Sequence, residues 1–181
     1  MNDLSMHIID IVQNSISAGA SRVVLSVDEN PDADLLTIVI KDDGKGMTRE
    51  QVSRLSDPFF TSRTTRKVGM GVPLLIQTAR QSGGDVRIES APGRGTSVTA
   101  TFGYSNIDRP PLGDVANALM LTVASHPEMD FTFHYRYGSA EYDFDTSDVR
   151  EVFGDDAVRN LTVLKNIEEM IKDNIREIRK S

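Results

Sequence analysis

Apolar residues that recur every three or four positions predict five helices along the chain. In the first of them, Asp10 and Asn14 lie one turn apart, beside the apolar arc and not opposite it, so both side chains point to one region. Thr48 is typical of a helix cap, and Gly19 suits the left-handed turn that ends the first helix. The predicted helices cover residues 3–18, 48–55, 72–82, 114–125 and 161–180.

Runs of Val, Ile, Leu and aromatic residues predict six strands between these helices. The turns between paired strands are rich in Asp, Gly and Pro, and Gly138-Ser139 is typical of a two-residue hairpin. Helices on one face of such strands make an α+β fold, a two-layer sandwich on a mixed, mostly antiparallel sheet. The predicted strands cover residues 22–27, 35–41, 86–90, 97–102, 131–137 and 141–145.

A connector that contains two adjacent prolines, residues 104–113, divides the chain into two parts of different charge. Residues 1–106 carry 11 basic and 12 acidic residues, whereas residues 107–181 carry 9 and 15. We therefore expect one domain over residues 1–106 and a small α+β C-terminal extension over residues 107–181. The acid excess of the extension favours a neutral or basic protein partner.

Composition excludes several classes of function. The 181 residues carry a net charge of −7, which disfavours binding to nucleic acid through its phosphates. The chain has no cysteine, which excludes disulfides, thiolate metal sites and cysteine nucleophiles. No apolar run reaches the roughly 20 residues that cross a bilayer, and the first residues do not resemble a signal peptide. We expect a cytoplasmic protein that binds neither nucleic acid nor membrane.

Three segments that contain glycine stand at the ends of predicted elements. Residues 42–47 follow a strand, residues 67–72 precede a helix, and residues 93–96 lead into a strand. Glycine lets the backbone approach a ligand closely, and a helix N-terminus offers free N–H groups to phosphate oxygens. Each segment alone is also compatible with a simple turn, and the sequence has neither a Rossmann fingerprint nor a Walker loop.

Taken together, these segments and the first helix resemble the GHKL superfamily of ATP-binding domains, which includes gyrase B, ninety-kilodalton chaperones, histidine kinases and MutL. The resemblance spans residues 3–103 and implies the fold of histidine kinase-like ATPases, with ATP as the ligand. Its motifs are the N box at Asn14, the first glycine box at 42–46, the F box at 57–62, the second glycine box at 69–71, and the kinase-like pattern from 82–84 through 95–96.

The resemblance also implies a role for each matching residue. Asp42 would accept a hydrogen bond from the exocyclic amine of adenine, and Thr96 would support the same edge. Asn14 would bind Mg²⁺ through its side-chain carbonyl oxygen. Residues 61–68 would form a short ATP lid whose cations offset phosphate charge, whereas Phe60 is equally typical of a core side chain. The other implied ATP contacts are Gly44, Gly46, Met47, Phe60, Thr61, Arg63, Arg66, Lys67, Gly69, Gly71 and Val72.

Asp10 is the position that separates catalysis from binding alone. Histidine kinases commonly carry an amide there, whereas the superfamily's ATP hydrolases and anti-sigma-factor serine kinases carry a glutamate that acts as general base. Asp10 keeps the carboxylate but is one methylene shorter, and a misplacement of about 1 Å can lower a rate ~100-fold. A local cap or ion pair is the competing interpretation of Asp10.

Two functions of different class remain open at this point. The first is a stand-alone ATP/Mg²⁺-binding protein that hydrolyses ATP slowly or phosphorylates a protein partner in signal transduction. The second is a nucleotide-sensing module whose ATP lid controls partner binding without chemistry. A MutL-type repair protein is a third interpretation, which the acidic balance disfavours.

The remaining expectations concern histidine and assembly. No His-Glu-Leu-Arg stretch is visible, so we expect no phosphoacceptor histidine domain, and His7 is typical of a structural hydrogen-bonding residue. The amphipathic last helix carries Asn174 near its apolar side, which is compatible with a homodimer and with an ordinary solvated face.

Overall fold

A computed structural model of the protein describes residues 3–57 and 71–180. Its helices are α1 (Leu4–Ser17), α2 (Arg49–Leu55), α3 (Gly71–Gln81), α4 (Val115–Ser125), α5 (Thr146–Phe153) and α6 (Leu161–Lys180), with a short 3-10 helix at Asp155–Arg159. Its strands are β1 (Arg22–Asn30), β2 (Leu35–Asp42), β3 (Val86–Ser90), β4 (Thr96–Gly103), β5 (Asp130–Tyr137) and β6 (Ala140–Asp145). Among the helices of these ranges, none combines the length and the apolar composition that a membrane-spanning segment needs.

The six strands form one sheet in the order β3-β4-β2-β1-β5-β6. β1 pairs antiparallel with β2 and parallel with β5, and the other neighbouring strands pair antiparallel. This arrangement confirms the predicted α+β fold with a mixed, mostly antiparallel sheet. The register places Asp42, Thr96 and Ser90 in one row across β2, β4 and β3.

The helices cover one face of this sheet. Residues alternate between buried and partly exposed along β1, and Val23, Leu25 and Val27 are buried. On β5, the side chains of Phe131 and Phe133 are also buried, so the aromatic strand belongs to the core. α1 packs against both α3 and α4, and α4 packs against α6. α1 therefore links the N-terminal helices to those of the C-terminal part.

The sequence signals for the ends of the helices have direct structural counterparts. The Thr48 side chain accepts a hydrogen bond from the Gln51 backbone N–H, and the Gln51 side chain accepts one from the Thr48 backbone, which makes a capping box. After α1, Gly19 has a φ of 74°, a left-handed conformation that a residue with a Cβ rarely adopts. Asp114 caps α4 by accepting from the Asn117 N–H.

Two features of the C-terminal part could not be predicted from the sequence. α5 and the 3-10 helix were not predicted, although Asp145 at the end of β6 caps α5 through the Ser147 N–H. β5 and β6 extend the sheet of the N-terminal part, because β5 pairs with β1 in parallel along its whole length. The division of the chain after residue 106 stays a prediction, and the structure unites both parts in one sheet and one hydrophobic core.

Candidate functional site

A pocket of about 230 Å³ opens between the C-terminal half of α1, the loop after β2 and the start of α3. Its walls are mostly apolar, and its polar lining includes Asn14, Ser15, Asp42 and Thr96. A pocket with apolar walls and a few convergent polar groups is typical of a small-molecule site. Its other lining residues are Ile11, Ser17, Ala18, Lys45, Gly46, Met47, Leu55, Val72, Ile88 and Val98.

Asp42 lies at the end of β2 and is the buried carboxylate of this pocket, with 9% of its surface exposed. One of its oxygens, Oδ2, accepts a hydrogen bond of 2.7 Å from the Ser15 hydroxyl. The other, Oδ1, accepts one of 2.9 Å from the Gly44 backbone N–H. Both oxygens are therefore held in place, and each keeps a lone pair for a further donor.

Close approaches of backbone to backbone shape the loop after β2. At Gly46, which has a φ of 71°, an added Cβ would lie 1.9 Å from the Ala91 carbonyl oxygen. At Gly95, an added Cβ would lie 2.0 Å from the Asp42 carbonyl oxygen. The two glycines therefore allow the β2 loop and the β3–β4 turn to touch, and this contact closes one side of the pocket.

The Ser90 hydroxyl connects three neighbours at the same end of the sheet. It lies 2.8 Å from the Met47 backbone N, 2.9 Å from the Gly95 carbonyl oxygen and 2.8 Å from the Thr96 hydroxyl. Met47 and Thr96 both line the pocket. Ser90 thus joins the β2 loop to the first residue of β4.

Asp10 and Asn14 are the half-buried polar side chains that α1 carries toward the start of α3. Within residues 3–57 and 71–180, neither side chain has a hydrogen-bond or ion-pair partner. Asn14 lines the pocket, whereas Asp10 lies against the first residue of α3, where an added Cβ on Gly71 would come within 3.2 Å of the Asp10 Cβ. Asp10 and Asn14 therefore lie beside the start of α3, and the first turn of a helix favours anions.

The structure brings most of the described site candidates together. Asn14, Asp42, Gly46, Met47, Val72 and Thr96 line the pocket. Gly44 lies behind Asp42, and Asp10 and Gly71 lie beside each other next to the pocket. The roles of all these residues stay predictions. Phe60, Thr61, Arg63, Arg66, Lys67 and Gly69 lie outside the described residues.

Sequence reasoning missed two serines of the site. Ser15 was seen only as the residue after Asn14, and Ser90 only as the end of a strand. The fold brings the Ser15 hydroxyl from α1 to Asp42, and it brings the Ser90 hydroxyl at the end of β3 to Thr96 on the neighbouring strand β4. A serine at the end of a strand, just before a turn rich in glycine, was the one signal available for Ser90.

Two ionisable side chains near the site, His7 and Asp43, form hydrogen bonds to neighbouring parts of the fold. His7 is buried, its Nε2 lies 3.3 Å from the Thr78 hydroxyl of α3, and burial lowers the pKa of the imidazole. Asp43, beside Asp42 in sequence, binds the Ser21 hydroxyl and the backbone N–H groups of Ser21 and Arg22. The hydrogen bond from the Ser21 hydroxyl is the main cause that lowers the pKa of Asp43. His7 and Asp43 therefore hold elements together outside the pocket.

The donor set fits a magnesium ion that keeps most of its waters. The described ranges contain no cluster of three or more His, Asp or Glu side chains that could hold a metal by themselves. Asn14 offers one amide oxygen that has no partner among residues 3–57 and 71–180, and Mg²⁺ is commonly bound by one or two side chains plus waters and substrate phosphates. A cation at Asn14 would therefore depend on a phosphate ligand.

The family of the chain follows from comparison with known proteins. Residues 2–106 match the family described as histidine kinase-, DNA gyrase B-, and HSP90-like ATPase. This match covers more than half of the chain. The chain belongs to this family, and residues 2–106 form an ATP-binding domain of the GHKL type.

Curated relatives match about half of the chain. Sporulation kinase C of Bacillus subtilis is 28% identical over 95 residues, which are 52% of this chain and 22% of that protein. The sensor histidine kinase WalK of the same organism is 31% identical over 102 residues, which are 52% of this chain and 17% of that protein. The chain therefore spans about a fifth of the length of these relatives.

Two solved structures of similar fold cover more of the chain than the family match does. The ATPase domain of Aquifex aeolicus MutL, complexed with ADP, has a TM-score of 0.50 and 18% identity over 84% of this chain and 69% of that chain. The N-terminal domain of a DNA repair protein has a TM-score of 0.56 and 13% identity over 85% of this chain and 57% of that chain. Because these shares exceed residues 2–106, part of the C-terminal segment has the same fold as well.

Proposed function

We propose that the protein is a regulatory ATP/Mg²⁺-binding protein of the histidine kinase-like ATPase type, which acts in the cytoplasm in signal transduction. It hydrolyses ATP slowly or transfers phosphate to a protein partner, as an anti-sigma-factor-like serine kinase does. The single observation that carries this proposal is the pocket lined by both a buried, fixed Asp42 and the Asn14 side chain, which has no partner among the described residues. The names of the kinase relatives and the ADP of the MutL structure support it.

In the proposed complex, adenine occupies the apolar part of the pocket and donates its exocyclic amine to Asp42. The phosphates reach the start of α3 at Gly71 and Val72, because the first turn of a helix favours anions. The Asn14 amide oxygen would hold Mg²⁺, which would offset the charge of the phosphates. The cofactor contacts proposed for Phe60, Thr61, Arg63, Arg66, Lys67 and Gly69 rest on the sequence motifs alone.

The proposed general base is Asp10. It lies next to Gly71 at the phosphate end of the site and has no partner in the described ranges, so its carboxylate is free to orient a water or a hydroxyl group. One observation favours the alternative, a non-catalytic nucleotide sensor. Asp10 does not line the pocket as the described residues form it, and its side chain is short for this task.

Phosphate release separates these two functions. We expect Asp10→Asn to bind ATP with an unchanged Kd and to lower ATP turnover about 100-fold, because general base catalysis contributes roughly 100-fold or more. Asp10→Glu keeps the carboxylate, adds the missing methylene and is expected to retain or raise turnover. Equal phosphate release by the wild-type protein and Asp10→Asn, with normal ATP binding by both, would establish the sensor function instead.

We also propose that the C-terminal part binds a protein partner through one exposed corner. Val152 and Phe153 at the end of α5 are 72% and 71% exposed, and Leu161 at the start of α6 is 75% exposed. The acidic residues Glu151, Asp155 and Asp156 in the same stretch are exposed as well. Apolar side chains among acidic ones favour a partner segment that is basic and carries apolar side chains.

Affinity capture with and without ATP and Mg²⁺ tests this surface. The expected partner is retained by the wild-type protein and by Ile107→Ser, which removes an exposed apolar side chain elsewhere, and is lost from both Phe153→Ser and Asp155→Lys. Equal retention by all four proteins would contradict the proposed surface. A homodimer that dissociates in Phe153→Ser, measured by sedimentation velocity, would assign the corner to a second copy of the chain.

A further inference from the structure

The hydrogen atoms at Ser90 have only one consistent arrangement. A serine hydroxyl has one proton to donate and two lone pairs to accept with. The Met47 backbone N–H donates to Ser90 Oγ, and the Gly95 carbonyl oxygen takes the Ser90 proton, because a carbonyl can only accept. The remaining contact, 2.8 Å from Thr96 Oγ1, must then be a hydrogen bond that Thr96 donates.

The Thr96 hydroxyl is therefore oriented by Ser90. Its proton points to β3, and only its lone pairs are left for the pocket that it lines. Directly across the strand pair lies Asp42, whose oxygens accept from Ser15 and Gly44. The Ser15 proton is likewise used on Asp42. Asp42, Thr96 and Ser15 thus form a wall of the pocket that only accepts hydrogen bonds.

We infer that Ser90 determines the choice between 6-amino and 6-oxo purine nucleotides by fixing the direction of the Thr96 hydroxyl. A 6-amino group brings two N–H donors to this wall, whereas a 6-oxo group brings an acceptor that meets the lone pairs of Asp42 and Thr96. An unpaired acceptor in a buried site is strongly disfavoured. Ser90 is a positioning residue, since it acts through Thr96, and the inference rests on the proposed adenine contact of Asp42.

Competing purine nucleotides give the direct test. Kd values of ADP and inosine diphosphate are measured by calorimetry for the wild-type protein, Ser90→Ala and Ser90→Thr. Ser90→Ala frees the Thr96 proton to donate to a 6-oxo oxygen, so the ratio of the inosine diphosphate Kd to the ADP Kd should fall about tenfold. Ser90→Thr keeps the hydroxyl and should keep the ratio within about twofold of the wild-type value.

A purely structural role of Ser90 gives a different result. Ser90→Ala would then weaken ADP and inosine diphosphate by the same factor, and an unchanged ratio overturns the inference. If Ser90→Ala does not fold, Thr96→Val replaces it, because this variant removes the oxygen that Ser90 orients and should lower the same ratio. A wild-type protein that binds both nucleotides equally would instead contradict the proposed selection of adenine by Asp42.

Discussion

Polar side chains have different surroundings on the two sides of strand β1. On the side of β2 and the pocket, Asp10 and Asn14 have no protein partner among the described residues. On the side of β5 and the C-terminal helices, polar groups bind one another. The Tyr135 hydroxyl donates to the buried Glu29 carboxylate, and Arg179 near the end of α6 donates to both residues.

The C-terminal networks also change the protonation of their members. Burial, and then the hydrogen bond to Glu29, raise the pKa of Tyr135 well above its usual value. Burial opposes ionisation of Asp145, but hydrogen bonds from Ser147, Thr132 and Arg22 lower its pKa to about 2. These groups hold strands and helices together, whereas Asn14 lines the pocket without a partner among the described residues. The C-terminal networks should therefore control stability, and the pocket residues nucleotide binding.

The largest effect is expected from a substitution in the loop after β2, which forms one side of the pocket. Gly46→Ala places a Cβ 1.9 Å from the Ala91 carbonyl oxygen and forces an unfavourable φ, so we expect a loss of at least about 3 kcal/mol in the free energy of unfolding. Gly93→Ala is the matched control, because Gly93 also has a positive φ but no atom near an added Cβ. It should cost only about 1–2 kcal/mol. Equal losses in urea unfolding would contradict the close approach at Gly46.

The next largest effect is expected for Asp42, and the neighbouring carboxylate Asp43 provides the control. Asp42→Asn replaces an acceptor with a group that can present N–H donors, and ATP binding should weaken about 100-fold, or roughly 2.7 kcal/mol. Asp43→Asn changes the same chemistry one residue away, where the carboxylate caps backbone N–H groups outside the pocket. This control should lose stability but keep the ATP Kd in calorimetry. If Asp43→Asn alone weakened ATP binding, Asp43 and not Asp42 would be the carboxylate that binds the nucleotide.

On the opposite side of β1, Arg179→Met should reduce stability without a change in ATP binding. The substitution leaves Glu29, which is 4% exposed, without its cation, and we expect a loss of about 2 kcal/mol in thermal or urea unfolding. Arg176→Met removes a cation of the same helix that forms an exposed pair with Asp173, and it should change stability by less than about 0.5 kcal/mol. A large change in ATP affinity for Arg179→Met would show that the two sides are coupled.

The smallest expected effect depends on pH. The folded-state pKa of Asp145, about 2, lies below its ordinary value of 3.8, so ionised Asp145 stabilises the fold above the ordinary value. Asp145→Asn should therefore cost about 1–2 kcal/mol near neutral pH. The difference from the wild-type protein should shrink as the pH falls from about 4 toward 2. A difference that stays constant over this range would exclude a role for the Asp145 charge.

The helices, strands and central pocket residues could be predicted because their signals are local. The α6 range was predicted residue for residue, and Asp42, Met47 and Thr96 were selected because they stand in short motifs beside predicted strands. α5 was missed because it begins directly after β6, and its cap, Asp145, was interpreted as the end of that strand. The pairing of β1 with β5 was missed because strands about 100 residues apart carry no local mark of parallel pairing.

Within the site, the contacts of Ser90 could not be predicted from local sequence signals either. Nothing in its neighbours along the chain indicates a link to Met47 or Thr96, since that link arises only when β2, β4 and β3 align in register. The motifs identified residues that line the pocket, but not Ser90, which contacts two of them. Such positioning residues depend on tertiary contacts, which sequence motifs do not describe.

The central claim is that the pocket lined by Asn14 and Asp42, and not the C-terminal network around Arg179, receives the nucleotide. A titration of the ¹⁵N-labelled protein with ATP and Mg²⁺, followed by ¹H–¹⁵N NMR, tests it directly. We predict the largest shifts at the Asn14 side-chain amide and the backbone amides of Gly44, Gly46 and Met47, with little change at Arg179 Nε. Shifts centred on Arg179 and the Ser147 amide, with an unchanged Asn14 side chain, would contradict the claim.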